Sequence, residues 1–141
     1  MFVSLTRLRL RSVRFVPGFM LHAVQANQQV SRAAGFQKGV LLWDRRWCFW
    51  TMTGWDSQES MRAFMTSGAH RKAMPRLMEW CDEASVAHWV QDEAALPEWT
   101  EADRRMRESG RASKVRQPSA RHAGLQYDAP RTTATGSIPK A

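Results

Sequence analysis

A tryptophan-rich pair of strands near the middle of the chain limits what this sequence can fold into more than any other feature. Residues 36–43 and 47–53 are rich in β-branched and aromatic residues, and a short polar turn separates them. Four of the seven tryptophans lie in or just after this hairpin: Trp43, Trp47, Trp50 and Trp55. Both faces of each strand are apolar, which predicts a sheet that is covered on two sides.

The segments around the hairpin predict a ferredoxin-like order of elements. Alternation over Phe2–Leu10 predicts a strand, and apolar residues at helical spacing predict a helix from Pro17 to Ala34. Asp56 and Glu59 have the spacing of a capping box, so a second helix begins there; we expect it to break between Gly68 and Pro75. A strand over 84–90 follows, and Pro97 begins a last helix that ends near Ser109.

This order, strand-helix-strand-strand-helix-strand, is the split βαβ arrangement. It predicts an α+β fold with a four-stranded antiparallel sheet and both helices on one face, which leaves the other face bare. A buried aromatic side chain removes about 150–250 Å² from water, or about 4–6 kcal/mol at about 25 cal/mol per Å². Because that is too much to leave exposed, we predict a homodimer whose sheets pack face to face.

Composition divides the chain into three predicted regions: residues 1–92 form the α/β domain, residues 93–123 a C-terminal helix and basic arm, and residues 124–141 a disordered tail. The tail has few apolar residues and is rich in Pro, Gly, Ser and Thr. Residues 1–100 carry 12 Lys and Arg against 9 Asp and Glu, whereas residues 101–141 carry 9 against 4. The basic charge is therefore concentrated in the C-terminal region.

Several classes of protein receive no support from the residues. Cys48 and Cys81 lack the spacing of disulfide or zinc sites, so we expect both to be reduced and buried. Arginines at alternate positions from Arg7 interrupt any signal-peptide core, and no apolar run approaches the ~20 residues of a membrane span. We expect a cytoplasmic protein without a membrane partner. The stretch Arg104–Arg121 could bind nucleic acid, but it lacks interleaved aromatics, so a solvated tail is the favoured interpretation.

The hairpin end Thr53-Gly54-Trp55 and the helix after it resemble the dimeric α/β-barrel superfamily that includes the antibiotic-biosynthesis monooxygenases. The resemblance covers about Phe2–Val90. A closer resemblance, to an uncharacterised bacterial branch of that superfamily, extends to about Pro118 and rests on further short motifs: Trp55-Asp56-Ser57, Arg62-Ala63-Phe64, Ser67-Gly68-Ala69-His70-Arg71, Met74-Pro75, Glu79-Trp80, His88-Trp89, Leu96-Pro97 and Gly110-Arg111.

The superfamily implies a cavity between the sheet and the helices of each protomer. Its enzymes include cofactor-free oxygenases that form quinones and oxygenases that degrade haem. The haem-degrading pattern has a tryptophan where this chain has Phe64, and its iron-binding histidine where this chain has Met74. The resemblance therefore favours an enzyme without a cofactor over one that binds haem.

His70 is the main catalytic candidate, because an imidazole at a helix break can reach a cavity and exchange a proton near neutral pH. It could instead bond only to a free backbone carbonyl at the break. Candidate ligand-binding residues are Trp50, Trp55 and Trp80, which could enclose a flat ring system, together with Phe64, Met74 and His88. Each of these could equally be an ordinary core residue.

Two hypotheses of function follow. The first is a monooxygenase-like protein, a cofactor-free oxygenase acting on a small apolar, polycyclic or quinone-like compound, with His70 as the base. The second is a non-catalytic module that binds a small molecule or mediates an interaction, since no acid/base pair or cofactor motif accompanies the histidine. Arg7 and Arg9 could in addition bind an anionic group, or they could protect a solvated strand edge.

Overall fold

The computed structural model describes the whole chain, Met1–Ala141, and confirms the α+β fold. Its six strands are β1 (Phe2–Leu10), β2 (Phe36–Asp44), β3 (Cys48–Trp55), β4 (Cys81–Val90), β5 (Arg111–Ala112) and β6 (Thr135–Ile138). Its four α-helices are α1 (Val16–Ser31), α2 (Gln58–Met65), α3 (Gly68–Trp80) and α4 (Trp99–Ser109), and a 3₁₀ turn at Val13–Phe15 precedes α1. No helix is both long and apolar enough to cross a membrane.

The sheet order is β5-β4-β1-β3-β2-β6, and every neighbouring pair is antiparallel. The inner four strands have the ferredoxin-like order, with β1 and β3 at the centre. The sheet has six strands rather than the predicted four, because the C-terminal region adds a short strand to each edge. These additions satisfy backbone groups that an edge strand would otherwise expose to other chains.

The predicted break in the second helical region is present between α2 and α3. Gly68 begins α3 with a φ of +57°, a left-handed conformation that glycine adopts without strain. Pro75 lies inside α3 and does not end it, which corrects the predicted extent of the break. The cap of α2 is Ser57 rather than Asp56: the Ser57 hydroxyl accepts the backbone N–H of Ser60 at 3.2 Å.

Helices α1, α2 and α3 cover the front face of the sheet. Alternate residues of β1, beginning with Phe2, point to this side, and the residues between them, beginning with Val3, point to the rear. Two buried clusters join the front face to the helices. One contains Phe36, Trp55 and Met61, and the other contains Leu10 and Phe19.

The rear face of the sheet is covered by the same chain, so the prediction of a bare face is wrong. Leu5, Trp50 and Met52 are fully buried beneath side chains of α4 and the segment after it: Trp99, Ala102, Met106 and Tyr127. The first three covering residues follow the spacing of one helix face, which makes α4 amphipathic. The uncovered face was the reason for predicting sheet-to-sheet pairing. Because the rear face is already covered, a homodimer stays a prediction, and its subunits would have to associate through another surface.

The segment predicted to be a disordered tail has a defined path in the structure, which corrects that expectation. Tyr127 is buried, and its hydroxyl donates to Asp103 Oδ1 at 2.8 Å. Strand β6 pairs with β2, with Ile138 opposite Gly39, and Ile138 is itself buried. These few apolar side chains suffice because the sheet edge supplies the backbone hydrogen bonds that order the segment.

Candidate functional site

A cavity of about 440 Å³ lies between the front face of the sheet and helices α1, α2 and α3. Twenty of its 28 lining residues are hydrophobic, and none is Asp, Glu, Lys or Arg. Residues of the C-terminal segment, including Gly136 and Ile138, also border it. A volume of this size in an apolar enclosure is typical of sites for small organic molecules.

His70 borders this cavity from the first turn of α3. Gln29 on α1 holds this turn in place: its side-chain oxygen accepts the backbone N–H of His70 at 2.9 Å, and its side-chain nitrogen donates to the carbonyl oxygen of Ser67 at 2.8 Å. One amide side chain therefore joins α1 to the break between α2 and α3. The position of His70 relative to the sheet is set by this contact.

The imidazole of His70 is held in one tautomer. Nδ1 lies 3.1 Å from the carbonyl oxygen of Met65, which can only accept, so Nδ1 carries the hydrogen. In the neutral ring Nε2 is then the basic nitrogen, and it has no partner in the chain. Burial lowers the pKa of His70, although the bond to Met65 partly opposes this effect. The ring of Phe64 packs against the imidazole at 4.9 Å between centroids.

Four hydroxyl residues of the two central strands form a polar strip on the cavity floor: Ser4, Thr6, Thr51 and Thr53. Ser4 lies opposite Thr53 and Thr6 opposite Thr51 in the β1–β3 register. Thr53 accepts the indole N–H of Trp55 at 2.9 Å, while the other three hydroxyls have no partner in the chain. Sequence analysis missed this strip, although hydroxyl residues at alternate positions of two strands were a readable signal.

The aromatic candidates separate into two groups. Trp55 and Phe64, two of the candidate ligand-binding residues, line the cavity. Trp50 borders the cavity, but its ring packs edge-on against Trp99 and Tyr127 in the cluster on the rear face. Its indole nitrogen is buried without a partner.

Three predicted site residues are absent from the cavity lining: Met74, Trp80 and His88. The Trp80 ring packs against Phe15 and the His22 imidazole, and the His88 ring packs against Phe2. Burial also lowers the pKa of His88.

Sequence analysis missed two polar cavity residues on α1, His22 and Asn27. Both lie on the side of α1 that faces the sheet, together with Ala23, Ala26 and Val30. Nδ1 of His22 is buried without a partner. His22 and His70 are the two titratable side chains of the lining.

The structure allows a test of whether haem fits by the pattern of the haem-degrading oxygenases. Met74 occupies the position of the iron-binding histidine in that pattern, and it does not line the cavity. The residues at this position therefore do not supply the required ligand. The structure also contains no group of three or more His, Cys, Asp or Glu side chains placed to hold a metal ion.

A family model described as a domain of unknown function (DUF3291) matches residues 3–116. SnoaB from Streptomyces nogalater, described as a cofactor-independent oxygenase, is similar in structure at 14% identity, over 69% of this chain and 97% of that chain, with a TM-score of 0.55. A putative antibiotic biosynthesis monooxygenase from Deinococcus radiodurans is similar at 16% identity, over 69% and 98%, with a TM-score of 0.60.

MhuD, solved with two manganese protoporphyrin IX molecules per active site, is similar at 17% identity over 69% of this chain and 100% of that chain, with a TM-score of 0.50. No curated protein matches the sequence. At these identities the similarity to solved structures shows the fold, which is the ferredoxin-like fold of the antibiotic-biosynthesis monooxygenases.

Proposed function

The chain belongs to the DUF3291 family, and we propose that it binds a flat, apolar small molecule in its front cavity and that His70 removes a proton from this molecule. The observation that carries the proposal is the state of His70. Its Nδ1 is occupied by the Met65 carbonyl, its Nε2 has no partner, and burial lowers its pKa so that the ring is neutral at pH 7. A neutral imidazole with one free nitrogen can act as a general base.

The cavity supports an uncharged, aromatic substrate. Its walls carry no acidic or basic side chain other than two histidines, so they offer no ion-pair partner to a charged ligand. Trp55 and Phe64 provide flat surfaces for a ring system. The free hydroxyls of Ser4, Thr6 and Thr51 can donate to an oxygen on that ring system, and they would stabilise the negative charge that develops when a proton leaves.

The proposed reaction is a cofactor-free oxygenation of a methylene group that lies between two aromatic rings, across the central ring from a ketone. His70 Nε2 accepts a proton from the methylene, and the resulting carbanion transfers electrons to O₂ and forms a C–O bond. The peroxide then loses water: the methylene loses two hydrogens and gains one oxygen, and the second oxygen leaves as water. Electrons balance without an external reductant, because the substrate loses four and O₂ accepts four.

The test is oxygen uptake and quinone absorbance with a hydroxyanthrone as the probe, in the full-length protein. A general base contributes about 10²–10⁴-fold to rate, so we expect His70→Gln to lower kcat by at least about 100-fold. Affinity for the probe, measured by quenching of tryptophan fluorescence, should change by less than about threefold. His22→Gln, the change of the other cavity histidine, should lower kcat by less than about tenfold. A greater loss in His22→Gln than in His70→Gln would contradict the assignment of the base.

The second candidate function is a binding module without a reaction, and one observation favours it. Nδ1 of His70 bonds to a backbone carbonyl rather than to a carboxylate, so no acidic group increases the basicity of the ring when it takes up a proton. Saturable binding of the probe without oxygen uptake would select this function. Absence of binding would contradict both. The homodimer and the cytoplasmic location stay predictions, which size measurements and cell fractionation would test.

A further inference from the structure

A second, polar pocket lies on the opposite side of the sheet, and the proposed function makes no use of it. This rear pocket is formed by side chains of β1, β2 and β4, by the β2–β3 turn and by residues 121–129, and its volume is about 80 Å³. Because one water needs about 10–15 Å³ of such space, the pocket is large enough for several waters or for one small polyatomic ion.

Positive charge is in excess around the rear pocket. Five arginines line it, at Arg7, Arg9, Arg45, Arg46 and Arg121, against three carboxylates, at Asp44, Glu83 and Asp128. Asp82 lies outside the lining but within 3.8 Å of Arg9, and counting it still leaves one positive charge unmatched. Glu83 and Asp82 pair with Arg7 and Arg9, so the excess lies at the rim, where Arg45, Arg46 and Arg121 have one carboxylate, Asp128, between them. An anion that enters the pocket would balance this excess.

Arg7 is the buried centre of this group. Its side chain is 9% exposed, and its guanidinium stacks 4.2 Å from the centroid of the Tyr127 ring. One terminal nitrogen donates to Glu83 Oε1 at 2.8 Å, whereas Nε is buried without a partner. Nε of Arg9 is likewise buried without a hydrogen bond. These Nε atoms are shielded from the pocket, but Nη2 of Arg7 and Nη2 of Arg9 also have no hydrogen bond in the chain, so each guanidinium group retains an unused terminal donor.

All three carboxylates of the rear pocket already have partners, and Asp128 accepts a hydrogen bond from Arg121 at 3.2 Å. Both oxygens of Glu83 accept hydrogen bonds, one from Arg7 and the other from Arg9 at 3.0 Å and from Ser119 Oγ at 2.8 Å. Asp44 Oδ1 accepts two backbone N–H groups, from Arg45 at 2.7 Å and from Arg131 at 3.0 Å. Glu83 therefore offsets part of the charge of Arg7 and Arg9, whereas Asp44 is directed to backbone N–H groups and not to a guanidinium group.

We propose that the rear pocket binds a phosphate group. Guanidinium donors match the geometry of phosphate oxygens, and converging arginines are a common means of binding such groups. Arg7 and Arg9 would hold the phosphate from the sheet, and Arg46 and Arg121 would close over it from the rim, where their side chains are 69% and 42% exposed. This site is independent of the proposed reaction, because the sheet separates it from the front cavity.

Calorimetric titration of the full chain with inorganic phosphate, at constant ionic strength set with NaCl, tests the site. We expect saturable binding of one phosphate per chain and at least tenfold weaker binding in Arg121→Gln. Arg116→Gln is the matched control, because it removes the same charge from an exposed position that contacts Glu79 outside the pocket. It should change affinity by less than twofold.

Arg121 also bonds to Asp128, so a second rim variant excludes loss of local structure as the cause. Arg46→Gln removes a side chain whose nearest acidic partner lies 3.9 Å away, and it should also weaken phosphate binding while the melting temperature stays within about 2 °C. No saturable heat up to 10 mM phosphate, or an equal loss in Arg116→Gln, would overturn the proposal.

Titration with methyl phosphate identifies the source of the group. Binding at least tenfold tighter than that of inorganic phosphate supports a phosphomonoester as the ligand. Equal or weaker binding supports the free ion.

Discussion

Replacing Trp99 by alanine tests whether the chain itself covers the rear of the sheet. Trp99 is 7% exposed, its ring meets that of Trp50 edge-on at 6.4 Å between centroids, and its Nε1 donates to Thr135 Oγ1 at 3.0 Å. Truncation of a buried tryptophan to alanine costs about 3–5 kcal/mol, which includes the lost transfer energy and the cavity that remains. We therefore expect the free energy of unfolding to fall by about 3–5 kcal/mol.

Two further variants separate the contributions. Trp99→Phe keeps most of the packing and removes the N–H donor, so its cost should stay near 1–2 kcal/mol, of which the hydrogen bond to the exposed Thr135 accounts for about 1 kcal/mol or less. Trp43→Ala is the matched control, because Trp43 is 49% exposed and should lose roughly half of the transfer energy of a buried ring, with no closed cavity.

Urea unfolding followed by far-ultraviolet circular dichroism measures all three variants, and equal slopes against urea would show that the comparison is valid. Two results would contradict this packing: a cost below about 1 kcal/mol for Trp99→Ala, or a cost no greater than that of Trp43→Ala. Either result would mean that α4 does not pack on the sheet as a part of the core.

Three other predictions use the same protein. The free energy of unfolding should fall from pH 7 to pH 5, because burial lowers the pKa of His70 and His88 while the histidines of the unfolded chain take up protons near pH 6.5. Urea titration should show a shallower pH dependence in His70→Gln. Stability that rises towards pH 5 would contradict this prediction. Gly35→Ala should lower the free energy of unfolding by more than about 1 kcal/mol in the same assay, because φ is +85° and the new methyl would lie 2.6 Å from Ser60 Cβ. Gly124→Ala is the control, because the nearest atom to its new methyl is 3.5 Å away. Equal losses in the two variants would contradict this prediction. Both cysteines are buried with a pKa raised to about 12, so a thiol reagent at pH 8 should modify neither until denaturant is added.

Local pattern in the sequence was sufficient for the ferredoxin-like order of elements. The alternation in Phe2–Leu10 matches β1 at both ends, and the break before His70 lies where the glycine predicts it. Such signals depend only on residues that are close in the sequence, so they can be read without knowledge of the fold. The predicted cap of α2 was one residue too early, because Asp56 and Ser57 are both good cap residues and only the backbone geometry selects between them.

The candidate site was predictable only in part. His70, Trp55 and Phe64 were identified from position and resemblance, and all three border the cavity. Hydroxyl residues at alternate positions of β1 and of β3 are visible in the sequence, but their meeting in one strip depends on the register between two strands far apart in the chain. Trp50 shows the same limit: alternation places its ring on one face, but it does not say which face the helices cover.

By itself, the sequence determined that two apolar faces of one small sheet had to be buried, since that follows from composition and the two-residue period of strands. Only the tertiary structure decided what buries the second face. Helix α4 and Tyr127 occupy it, and β5 and β6 close both edges of the sheet. The hydrophobic effect depends on the apolar area removed from water, whether a second subunit or the same chain covers that area. Which of the two covers the sheet is therefore decided by long-range contacts within the chain.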